Sequence, residues 1–132
     1  MAESPTDAGI VRIESRHGAA ATIDRLERSL KERGLVVFAR IDFSGDAARA
    51  GLSMRAEQML IFGNPKAGTP LMQAVPSCGI DLPLKALSWE DADGRTWLAW
   101  NAPEWLVRRH GLDPAFSANL AAAVPLLQAA AG

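Results

Sequence analysis

The stretch Ile61-Phe62-Gly63-Asn64-Pro65-Lys66-Ala67-Gly68-Thr69-Pro70 decides how this chain folds. An apolar run, Met59 to Phe62, stops at Gly63. Asn64 then offers a helix cap, and Pro65 fits the first helical position, where a backbone N–H has no partner to lose. The reading is a strand that feeds a short helix through a tight polar turn, with Gly63 and Gly68 shaping that turn. Lys66 to Ala74 reads as one or two short helical segments. Pro70 either starts a second segment capped by Thr69 or kinks the first.

Toward the N-terminus, residues 35–41 are rich in β-branched and aromatic side chains (Val36, Val37, Phe38, Ile41), which predicts a strand. Its near-continuous apolarity predicts a central place in a sheet. Asp42 ends it, and Phe43 to Asp46 reads as a loop in which Ser44 or Asp46 caps a short alanine-rich turn. Upstream, Ala19, Ile23, Leu26 and Leu30 recur at helical spacing and predict a helix over 19–33, stopped by Gly34. A first strand covers 9–14, with Val11 and Ile13 toward the core. A further strand, from about Arg55, leads into the turn.

Toward the C-terminus, Pro76 and Gly79 close the helical segment. Leu82-Pro83-Leu84 enters a strand running to Glu90, with Pro83 at its start because it has no backbone donor. Asp91-Ala92-Asp93-Gly94 is a hairpin signal, and the return strand is Arg95 to Trp100. The alternation leaves open which face of the return strand meets Leu87 and Trp89. Pro103 starts a short helix with Glu104 in its first turn and Arg108 and Arg109 near its end, signs that suit the helix dipole. Asp113-Pro114 begins a final amphipathic helix through Phe116, Leu120, Val124 and Leu127, which Pro125 interrupts. Strands that follow one another directly favour an antiparallel sheet with helices on one face, an α+β fold.

With 132 residues, 48% of them hydrophobic, the chain is long enough for one domain with its own core. A net charge of -1 argues against a nucleic-acid partner. The single cysteine, Cys78, excludes an intrachain disulfide framework and fits a reducing compartment, so the cytoplasm is the expected location. Residues 1–8 are polar and read as a flexible terminus before a single domain over 9–132. With two acids and no apolar core they do not form a signal peptide. The alanine-rich C-terminus contains Pro125 and Gln128 and makes a poor membrane span.

The segments Ile61 to Pro70 and Ile80-Asp81-Leu82-Pro83-Leu84-Lys85-Ala86-Leu87-Ser88-Trp89-Glu90-Asp91, followed by Asp93-Gly94, resemble domain of unknown function 302. That family carries a GNPkaGt segment and, later, a DLPlkvL hairpin, in this order. The resemblance spans roughly residues 10 to 110. It implies a β-α-β(4)-α-like topology with an inserted short helix, and a homodimer, with no established catalytic assignment. One departure is local: where the family commonly has histidine after the strand-end aspartate, this chain has Asp42-Phe43. Any proton-transfer or metal role of that histidine is absent here.

The candidate binding residues follow from this frame. Asn64, Lys66 and Thr69 stand at a helix start, where free backbone donors hold an anion or a small ligand and Lys66 adds charge. The glycine spacing of a nucleotide phosphate loop is missing, and the same residues also read as a plain structural turn. Asp42 and Asp81 both lie at strand ends. Brought together they form an acid–base pair; apart, Asp81 caps the turn before Leu82 and Asp42 satisfies loop amides. Cys78 is a possible nucleophile without a nearby histidine, since His17 and His110 are remote in sequence. No metal site and no cofactor are expected from two histidines, one cysteine and scattered acids. Trp89, Trp97, Trp100 and Trp105 serve the core, an apolar pocket or a dimer face. The resulting expectation is a non-catalytic domain that binds an anionic or apolar small molecule near Gly63–Thr69. A small enzyme using Asp42, Asp81 or Cys78 is the alternative, and a purely oligomer-forming structural protein is a third.

Overall fold

The computed structural model describes residues 8–132; the expected flexible segment, but for Ala8, lies outside the described residues. The chain forms β1 (Ile10–Ser15), α1 (Ala19–Glu32), β2 (Val36–Asp42), α2 (Phe43–Arg49), β3 (Glu57–Gly63) and α3 (Pro65–Ala74). A 3-10 turn, Pro76–Asp81, leads to β4 (Leu84–Glu90), β5 (Thr96–Asn101) and α4 (Pro103–Arg109). After a second 3-10 turn, Pro114–Phe116, come α5 (Ser117–Ala121) and α6 (Val124–Ala131). The five strands form one sheet in the order β1-β5-β4-β3-β2, antiparallel at every junction. This is the α+β architecture that the element order implies.

Because β1 and β2 occupy opposite edges, α1 must cross the sheet between them. It does so on the stripe read from its sequence: Ala19, Ile23, Leu26 and Leu30 are buried, joined by Thr22. Ile23, Leu26 and Leu30 pack with Val11, Ile13, Leu60, Phe62, Leu98 and Trp100 of the sheet and with Leu127 and Ala130 of α6. Each such aliphatic side chain, fully buried, stabilises the fold by about 1.5–3 kcal/mol. Thr22 is tolerated there because its hydroxyl donates to the Gly18 carbonyl (2.8 Å) and meets Ser15 Oγ at 2.6 Å. Gly34 takes φ +76° after α1, a left-handed backbone that suits glycine.

The hairpin register is now defined. Trp89 pairs with Trp97 and Leu87 with Ala99, while Ala86, Ser88, Leu98 and Trp100 point to the helices. A second, smaller core of Leu71, Cys78, Leu106, Val107, Leu112 and Leu120 binds α3, α4 and α5 together at one end of the sheet. Leu84 and Trp105 touch both cores.

Three expectations need correction. β2 is an edge strand, not a central one, and Val36 and Phe38 are 39% and 53% exposed. Its apolar residues do not fill two buried faces; a register shift between Val37 and Ala39 splits them between the core and a cleft. The segment after Asp42 is helical from Phe43, with Asp42 rather than Ser44 or Asp46 as its cap. The final helix is interrupted near Pro125, as its sequence implies, giving two segments bent by 40°. Gly63 and Gly68 do not adopt positive φ, unlike Gly34, Gly94 and Gly111, so the turn needs no glycine freedom. The two residues have a different use, described next.

Candidate ligand-binding site

β3 ends at Gly63, and the side chain of Asn64 accepts from Lys66 N at 3.0 Å, capping α3 with Pro65 in its first turn. The Asn64 carbonyl takes the amides of Ala67 and Gly68, both at 2.9 Å. The helix continues without interruption to Ala74 despite Pro70. Its first turns, the Leu82–Leu84 approach to β4, the β2 edge and residues 119–123 leave a cavity of about 310 Å³ between them. Asn119 Nδ2 donates to the Ala67 carbonyl at 3.1 Å and ties α5 to α3 across one wall.

The lining is mostly apolar: Leu35, Phe38, Met72, Pro83, Leu84 and Leu120 supply much of it. Asn64, Thr69 and Asn119 are its polar members, and among the described residues none that lines it is charged. Gly63 and Gly68 keep it open. A Cβ on Gly63 would stand 3.6 Å from the Phe38 ring and 3.7 Å from Pro83, and one on Gly68 3.8 Å from Leu82. Each would be an ordinary contact that subtracts volume from the cavity.

Of the residues singled out in the sequence, Asn64 and Thr69 line this cavity; Lys66 is exposed and does not. Asp42 and Asp81 do not converge. Asp42 pairs with Gln58 at one end of β3, while Asp81 precedes Leu84, whose partner Phe62 is at the other end. The acid–base pair therefore has no geometry to act through. Asp42 accepts from Gly45 N (3.0 Å) and Ser44 Oγ (2.8 Å), and these bonds hold its carboxyl below the ordinary aspartate value. Asp81 is no turn cap either. It takes both oxygens to Arg109 Nη1 (3.0 and 2.9 Å) and lies 2.5 Å from His110 Nε2, fastening the 3-10 turn to the end of α4. Remote in sequence, His110 is brought by the fold to the same small cavity as Cys78 and Asp81. Yet Cys78 is 2% exposed, and burial, with the Asp81 charge second, raises its thiol pKa; a protonated, enclosed thiol is a poor nucleophile. Trp100 is in the main core and Trp105 beside it, while Trp89 and Trp97 face outward.

The family model described as Domain of unknown function DUF302 matches residues 11–129. The chain belongs to this family. A crystal structure of an uncharacterized conserved DUF302 protein from Bacillus stearothermophilus is similar at a TM-score of 0.76 and 25% identity, covering 93% of this chain and 95% of that one. Two proteins named Fluoride-specific ion channel FluC 1, from Brucella suis biovar 1 (strain 1330) and Brucella abortus biovar 1 (strain 9-941), are each 47% identical over 106 residues. That match takes in 80% of this chain but 42% and 39% of theirs, so the chain spans about two fifths of the length of the curated relatives it matches. No single helix among the described residues is long and apolar enough to cross a membrane. The bent α5–α6 pair is apolar enough in total, but Leu120, Leu127, Ala130 and Ala131 are buried in the domain's cores.

In this DUF302 domain the Asp42-Phe43 departure falls at the start of α2, at the end of the sheet away from the cavity. Among the cavity residues that sequence reasoning did not single out are Leu35, Phe38, Met72 and Asn119. Phe38 had no distinct signal, because it lies inside a near-continuous apolar run. Met72 and Asn119 had none, because only the tertiary fold brings α3 and α5 to β2.

Proposed function

We propose that this DUF302 domain is a non-catalytic module that binds a neutral, largely apolar small molecule in the cavity beside the Gly63–Thr69 junction. The observation that carries the reading is the cavity itself. About 310 Å³ is at the lower end of small-ligand pockets, walled by hydrophobic side chains with a few neutral polar groups to orient a guest. An anionic ligand is disfavoured: Lys66 is off the lining, and a charge set against the apolar side chains of Leu35, Phe38 and Met72 would lose part of its hydration without a counter-charge. The separation of Asp42 from Asp81 and the enclosed thiol of Cys78 support a binding role over an enzymatic one. The reduced cysteine supports a cytoplasmic location, and the outward Trp89 and Trp97 support a homodimer. A thermal-shift screen pairing neutral fragments with charged isosteres tests the ligand class. Benzamide-like compounds should raise Tm where benzoate-like ones do not; stabilisation by the anions alone would overturn the reading.

The Brucella relatives favour a second, compatible reading. They are named as fluoride-specific ion channels, of which the matched region forms about two fifths. This chain would then be an accessory domain that senses a small molecule on behalf of such a channel. Fluoride itself is not the cavity's guest, since a small anion needs charge or many donors and the lining offers neither. Fluoride flux from vesicles holding the Brucella suis protein, with and without its matched region, tests this. A fragment that stabilises the domain should alter flux only when the region is present; indifference of both proteins would count against it.

A further inference from the structure

We infer that the outer face of the sheet is where a second copy of this chain docks, the two copies related by a two-fold axis running across the strands. This names the surface of the homodimer proposed above and rests on that reading. The helices cover only the inner face, and the outward side chains Met59, Ile61, Leu87, Trp89 and Trp97 belong to neither core. Strand register arranges them in rows. Met59, Leu87 and Ala99 make an apolar middle row across β3, β4 and β5, which ends on β1 at Arg12, turned over the Trp97 ring. Toward one end lies the row Glu57, Trp89, Trp97, Glu14, in which two tryptophans are flanked by two acids. Toward the other end, Ile61 pairs with Lys85.

Two features suit this face to a copy of itself. Trp97 is held in place before any partner arrives: Arg12 lies 4.4 Å from its ring centroid, and its Nε1 donates to Asp91 Oδ2 at 2.9 Å. An aromatic side chain already fixed in place loses little entropy on docking. Apart from Arg12, which Trp97 engages, the charges are also divided by row. Among the described residues Lys85 Nζ donates only to the neutral Pro83 carbonyl in its own strand's approach (3.0 Å). Within one chain Glu57 and Lys85 are four residues apart along paired strands, about 13 Å, too far to meet. A two-fold axis across the strands reverses the rows, so the middle row meets itself and each acidic row meets the other copy's Lys85 row. An axis along the strands would set acid on acid. One surface carries both halves of its own complement, which is the signature of an isologous contact.

Sedimentation equilibrium of the full chain at micromolar concentration tests this. The wild type should run at twice the chain mass. Leu87→Arg, at the centre of the middle row, should run at the chain mass with an unchanged circular dichroism spectrum. Lys85→Glu and Glu57→Lys should each weaken the dimer about tenfold or more, and the double variant should recover most of that loss. Recovery cannot arise from misfolding, so it stands even if Leu87→Arg fails to fold. A monomeric wild type would overturn the dimer and this face together. A dimer indifferent to Leu87→Arg, or a double variant no tighter than the singles, would overturn the face alone.

Discussion

Asp91 shows how much one residue organises at the hairpin. Its Oδ1 accepts from Asp93 N (2.9 Å) and Arg95 N (3.0 Å), and its Oδ2 from Trp97 Nε1 (2.9 Å). The Trp97 bond, first, and these backbone amides hold its carboxyl below the ordinary aspartate value, as the Gly45 amide does at Asp42. The sign follows from the ionised form being the bonded one in the folded state. Stability from both groups is fully present above the unfolded aspartate pKa of about 4 and is lost as pH falls through the lower folded values. Thermal melts between pH 6 and pH 2.5 should therefore show a Tm decline that is shallower in Asp91→Asn. Gly68 is the other informative residue. It lies inside α3, and the nearest atom to an added methyl would be on Leu82, at 3.8 Å, so Gly68→Ala should raise stability by about 0.5–1 kcal/mol in urea titration. A loss of stability there would mean the wall cannot accept a methyl. The caps at Asn64 and Asp113 were legible from sequence because capping is local chemistry. The use of Gly63 and Gly68 was not, because it depends on Phe38, Pro83 and Leu82 approaching from elsewhere.

At the scale of elements, β2 is the instructive case. Its composition resembles that of a buried strand, yet it is an edge, tied to α1 by Arg40 as well as by Val37 in the core. That guanidinium reaches Asp24 Oδ1 (2.6 Å), Glu27 Oε1 (3.2 Å), Gln58 Oε1 (2.8 Å) and the Ala20 carbonyl (3.1 Å). Only a planar fork can serve α1 and β3 at once. Arg40→Ala should cost about 1 kcal/mol and speed hydrogen exchange in β2, with Arg40→Lys recovering less than half of the loss. Equal exchange in all three proteins would show that the strand is held by its backbone ladder alone. Amphipathic period exposed α1 fully, since its stripe is long and regular. The same signal merged α5 and α6, because Phe116, Leu120, Val124 and Leu127 keep helical spacing across a 40° bend.

For the whole molecule, the order of strands and helices was legible because short connections force antiparallel neighbours. The cavity was only half legible. Its rim at Asn64 and Thr69 lies in the most recognisable segment, whereas Leu35, Phe38 and Asn119 arrive from distant parts of the chain. The void exists because two cores meet imperfectly: the main one between sheet, α1 and α6, the smaller one among α3, α4 and α5. That boundary is where a guest would sit, with Leu84 and Trp105 linking the two packings. The most direct measurement is an amide-resolved NMR titration of the wild type and Gly68→Leu with benzamide and with benzoate. Binding of a neutral guest in the cavity predicts benzamide shifts at Gly63, Asn64, Gly68 and Asn119 in the wild type, their loss in Gly68→Leu, and little response to benzoate. Benzamide shifts that persist in Gly68→Leu, or a response to benzoate alone centred on Lys66, would contradict it.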